Sequence, residues 1–120
     1  MTFQFMLGVL LAAQSPAAQP QTAEIKLSAD AHAALRCSAA FALVSYGQEK
    51  GDPASAKWPD LDARGREFFV RVMAQLIDET GRDRDQLAEL AKSEAQRLLD
   101  TGEVDKVMPT CLTMLEASGL

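Results

Sequence analysis

Residues 28–51 read SADAHAALRCSAAFALVSYGQEKG. Ser28 is suited to cap a helix, Asp30 places a carboxylate in the first turn, and Gly51 supplies the left-handed residue that ends one. The stretch therefore predicts a helix over 31–50. Between Ala31 and Val44 the only charged residue is Arg36. A helix that is apolar on nearly every side belongs at the centre of a fold, not on its surface. Ala33, Ala34, Ser38, Ala39, Ala40 and Ala42 are small enough to let neighbours pack closely against it. Cys37 sits in its middle.

Working outward, residues 51–59 read as a connection, with Asp52-Pro53 a turn signal and Trp58-Pro59 an extended dipeptide. Asp60 or Asp62 then caps a second helix that ends at Gly81. Its apolar positions Leu61, Phe68, Phe69, Val72, Met73, Leu76 and Ile77 follow helical spacing, with charged residues mostly opposite. A third helix starts at Asp83, where Gln86 completes a capping box, and ends at Thr101-Gly102. Its apolar face is Leu87, Leu90, Ala91, Ala95, Leu98 and Leu99. The last stripe is Val104, Val107, Met108, Cys111, Leu112 and Leu115. Pro109 falls on the other side of it, so either one helix kinked at Pro109 spans 103–117 or a shorter one begins at Pro109. No alternating run long enough for a strand is present, and no internal repeat.

The expected fold class is all-α: a small four-helix bundle or array over 28–120, stapled by one long-range disulfide. Cys37 and Cys111 are the two cysteines of the chain, and both fall on apolar helix faces. A bridge between them closes a loop of about 75 residues, worth about 4–5 kcal/mol in the chain-entropy account. For a domain of this size that is comparable to the whole folding free energy.

The disulfide expectation rests on the N-terminus. Residues 1–17 carry no charged side chain. FQFMLGVLLAA, residues 3–13, has the length of a signal-peptide core and is shorter than the roughly 20 residues a membrane span needs. The expected organisation is a leader over 1–17, cleaved after Ala17 or Ala18, a linker over 18–27, and one helical domain over 28–120. Export points to an oxidising compartment, periplasmic or extracellular, and leaves no stable membrane anchor once the leader is removed.

All 12 basic and 17 acidic residues follow the leader, giving a net charge of −5. An acidic domain is poorly matched to nucleic acid, whose phosphates call for a basic face, and to anionic lipid headgroups. The single histidine, His32, has no nucleophile at helical spacing on its own face, and no zinc, haem, phosphate-loop or calcium motif occurs. No catalytic residue, resident metal or cofactor is expected. Met108, Cys111 and Met114 form a soft-sulfur trio, which gives copper binding as an alternative that a disulfide at Cys111 would largely remove. For contact with a partner the candidates are Trp58, the sole tryptophan, in its proline-flanked loop, and the basic cluster Arg64, Arg66 and Arg71 on the second helix.

A helical build, a staple and no catalytic constellation predict a non-enzymatic binding or inhibitor module acting on another envelope protein. In the placement of Cys37, Cys111 and the leader, the chain resembles the Rap/Tai-type periplasmic immunity proteins, which implies a small exported helical inhibitor. The same layout is similar to the HdeA-type periplasmic chaperones, which implies a holdase that acts under acid stress. Neither resemblance extends to a longer motif, and no functional residue is carried over from either.

Overall fold

A computed structural model describes residues 25–120. The leader, the cleavage position and residues 18–24 of the linker lie outside the described residues. Five helices follow in order: α1 Ala29–Glu49, α2 Pro53–Ala56, α3 Asp62–Thr80, α4 Arg84–Thr101 and α5 Val104–Ala117. Four are long, and no strand occurs among the described residues. The expected all-α, four-helix build is therefore observed, with one extra turn of helix in the first connection.

α1 is the axis of the fold and packs against each of the other four helices. Ser28 Oγ accepts the Ala31 amide at 3.1 Å, and Gly51 takes φ 74° beyond the last turn. Leu35, Ala40, Phe41 and Val44 are sealed from solvent, which is what a nearly uncharged helix surface requires. Phe41 meets Phe68 of α3 edge to face, with centroids 5.2 Å apart. Leu61, Leu76, Leu87, Leu98, Met108 and Leu115 bring α3, α4 and α5 into the same core. Within it, Cys37 and Cys111 form a disulfide that ties α1 to α5, their Cα atoms 5.1 Å apart.

α2 corrects the reading of 51–59 as plain connection. Asp52 accepts the Ala54 amide at 3.0 Å and Pro53 occupies the first turn, so the dipeptide that signals a turn also starts a helix. A single turn is too short to leave a periodic signature. It lies directly on α1 at Gly47, where a Cβ would meet Ser55 Oγ at 2.0 Å.

α3 corrects a second expectation: neither Asp60 nor Asp62 is its N-cap. Leu61 holds that position without a side-chain cap bond, fully buried, while Asp60 Oδ1 accepts the Asp62 amide at 3.1 Å. Burial of the leucine, not local capping, sets where this helix begins. The glycine stops at Gly81 and Gly102 both take φ 66°, and the Asp83/Gln86 capping box is closed in both directions. α5 is one continuous helix with Pro109 inside it, on an exposed position where a missing amide costs least. Of the predicted apolar stripes, Leu99 and Ile77 depart from the core and are 56% and 36% exposed.

Among the described residues, no helix is long and apolar enough to cross a membrane.

Candidate functional site

Along α1, Ser38, Phe41, Ala42, Ser45 and Glu49 recur at helical spacing and face one side. Along α3, Leu61, Asp62, Gly65, Arg66 and Phe69 do the same. Ala42, Ser45 and Gly65 are small, so the two helices enclose a trough instead of closing over it. Gly65 leaves little room for a side chain: a Cβ there would lie 3.3 Å from that of Phe41, a tight approach.

The trough has two halves. A cleft of about 370 Å³ has an apolar floor of Phe41, Ala42, Leu61, Gly65 and Phe69, with Tyr46 and Arg66 at its rim. A second, of about 540 Å³, carries Glu49, Asp52, Asp60, Asp62 and Trp58. Ser45, Glu49 and Asp62 line both, so the halves form one groove. Ser38 lines the apolar half, and its Oγ is buried with no hydrogen-bond partner.

The acidic end is shaped by Gln48, which the sequence reading did not single out. Its amide nitrogen donates to the carbonyls of Ser55, Trp58 and Pro59 at 3.2, 3.1 and 2.8 Å. Its Oε1 accepts the Leu61 amide at 3.2 Å. One side chain thus meets three carbonyls and one amide at the α2–α3 connection, its two amide protons shared among the three acceptors.

The predicted partner-contact residues divide. Trp58 and Arg66 line opposite halves of the groove. Trp58 is half-buried, and its Nε1 donates to Asp105 Oδ1 at 3.2 Å. Lys57 donates to the other oxygen of Asp105 at 2.6 Å and lies 5.3 Å from the Trp58 ring centroid. The Lys57 bond holds the Asp105 carboxyl below the usual carboxylate range, against desolvation and with help from the Trp58 bond and the Lys57 charge. Arg66 pairs with Asp62 at 2.9 Å on an exposed surface. Arg64 and Arg71 turn instead to the end of α5. Arg64 donates to Glu116 at 2.9 Å and to the Leu120 carbonyl at 2.7 Å, and Arg71 to the Ser118 carbonyl at 3.2 Å. The three arginines therefore do not form one basic face.

A second cluster escaped the sequence reading. Glu94 of α4 is buried, and its carboxylate accepts from Arg36 Nε at 3.3 Å and from Arg97, with His32 Nε2 at 3.5 Å. Arg36 also reaches His32 Nδ1 at 3.4 Å. Burial pushes the Glu94 carboxyl up, but the bonds and charges of Arg97, His32 and Arg36 together outweigh it and hold it low. With its oxygens shared among these cations, Glu94 serves to fasten α4 to α1. The only advance signal was Arg36, the lone charge between Ala31 and Val44 of a central helix, which called for a buried partner.

On the far side of Tyr46, a cleft of about 520 Å³ runs between α1 and α4, lined by Leu43, Val44, Leu98, Leu99 and Val104. Tyr46 stands on the ridge between the two grooves, 62% exposed, with Lys50 Nζ 5.5 Å from its ring centroid. The soft-sulfur trio loses its thiolate, because Cys111 Sγ is bonded to Cys37. Comparison with protein-family models, curated proteins and solved structures finds no match to this chain.

Proposed function

We propose that this chain is an exported, non-enzymatic binding module of the bacterial envelope, of the inhibitor or immunity kind, that seats another envelope protein along the α1/α3 groove. The observation that carries this reading is the groove itself, an open trough with an apolar floor and an acidic end. One wall belongs to a central helix that a disulfide ties to α5 and the Glu94 hub ties to α4. A wall held in place before the partner arrives lowers the ordering cost of binding. The disulfide suits an oxidising compartment, in keeping with a periplasmic or secreted protein.

The test uses the full-length chain in the cells that produce it, with a photo-reactive residue at Ser45 in the groove or at Gln96 on exposed α4. Intact mass is expected to show loss of roughly the first 17 residues, as a cleaved leader requires. A covalent adduct with one other protein is expected from Ser45 and not from Gln96. Adducts from Gln96 alone, or equally from both, would overturn the groove as the working surface.

A second reading, an acid-stress holdase, is favoured by the Glu94 hub. Protonating this one carboxylate removes the anion shared by His32, Arg36 and Arg97 and leaves like charges between α1 and α4. Parting of those helices would bare apolar faces of the core. A chain that stays folded and monomeric at about pH 2–3, where such states form, or that fails to keep a client protein soluble there, excludes it.

A further inference from the structure

We infer that the segment seated in the α1/α3 groove is a cationic amphipathic helix of the partner, its apolar anchors over Ala42 and Phe69 and a Lys or Arg about two turns away at the acidic end; this rests on the groove being the binding surface. Three observations converge on that chemistry.

The first is unbalanced charge. Among the described residues Glu49 holds no ion pair, and Asp52 and Asp60 each spend one oxygen on a local amide. The nearby cations are engaged elsewhere, Lys57 with Asp105 and Lys50 over the Tyr46 ring. Only Arg66, bonded to Asp62, offsets the acidic end. A cation arriving there meets a field of one sign, which favours both encounter and orientation.

The second is Ser38. Its hydroxyl is buried at the apolar half without a hydrogen-bond partner, an uncommon and costly state for a polar group. The hydroxyl lies beneath the apolar half, so a segment that parts the floor and carries a polar atom beside its apolar anchor supplies the missing partner.

The third is length. Ala42 to Glu49 spans 7 residues of α1, about 10 Å at 1.5 Å per residue. The apolar floor and the carboxylates are thus about two helical turns apart, the i to i+7 interval at which an amphipathic helix presents successive anchors.

The probe is a synthetic helical peptide with two leucine anchors and two lysines placed seven residues on, together with the same peptide carrying glutamates instead of lysines. Trp58, the sole tryptophan, lines the acidic end and reports occupancy through its emission. The lysine peptide is expected to shift that emission saturably and to bind at least tenfold more tightly than the glutamate peptide, with affinity falling as salt rises. E49K and D60K should each weaken it about tenfold. A42F, which fills the apolar half from an exposed position, should weaken it similarly, with thermal melts confirming that all variants fold. Equal binding of both peptides, no binding of either, or indifference to E49K and A42F would overturn the inference. Vesicles of anionic lipid should leave the emission unchanged, and a shift with them would also overturn it. Should Ser45 capture a partner whose seated segment is acidic or uncharged, the cationic class falls while the groove reading stands.

Discussion

Gly47 of α1 faces Ser55 of α2 so closely that a Cβ on the glycine would lie 2.0 Å from Ser55 Oγ and 2.8 Å from Ser55 Cβ. That contact holds the single turn of α2 against the central helix, and through it the connection that carries Trp58.

In an exposed helix interior, replacing glycine by alanine stabilises by about 1 kcal/mol. Here the sign reverses. G47A is expected to destabilise the fold by about 1–3 kcal/mol, the range for overpacking. Adding S55A should restore only part of the loss, because Ser55 Cβ remains in the way. Denaturant melts followed by Trp58 emission measure both effects, and a more stable G47A would show that α2 does not rest on this contact.

The Cys37–Cys111 bridge should dominate the stability of the domain. Reduction, or C37S with C111S, is expected to remove about 4–5 kcal/mol by the loop-closure account. The bridged residues are 74 apart in sequence and both are buried. The native protein should therefore resist alkylation until it is unfolded and reduced. A melting temperature that reductant leaves unchanged would contradict this.

Glu94 gives the fold a pH dependence of definite sign. Its folded-state value lies below the ordinary one, so its contribution is fully present above the unfolded value and is lost as pH falls through the folded value. E94Q is expected to cost about 1–3 kcal/mol at neutral pH, because a buried charge-assisted network loses its anion while the half-exposed arginines recover some hydration. The gap between wild type and E94Q should shrink steadily toward acid. A gap independent of pH would mean that the carboxylate charge is not what holds α4 to α1.

Arg64 fastens the end of α5 through Glu116 and the Leu120 carbonyl. R64A should cost under about 1 kcal/mol, as for exposed pairs, yet speed amide exchange over residues 116–120 while leaving α4 unaffected. If the arginine acts only as a solvated charge, exchange there will not change.

The local elements of this protein could be read from its sequence. Ser28, Gly81, the Asp83/Gln86 box and Gly102 mark helix ends through bonds or backbone angles that involve residues no more than a turn or so apart. The absence of charge around α1 announced its central place, because only burial on several sides tolerates such a surface. With two cysteines, one pairing was available. What the sequence did not show were relationships between residues far apart in the chain. Glu94 reads as part of a polar face until Arg36, 58 residues earlier, is brought against it. Leu99 reads as core until α4 turns it outward, and Arg64 and Arg71 separate from Arg66 only once α5 arrives. Gln48 acquires its role from a loop that folds back over it. The groove is of the same kind: small residues on α1 and α3 permit a trough, but its depth and its acidic end exist only where the two helices cross, because packing, unlike capping, depends on which surfaces the chain brings together.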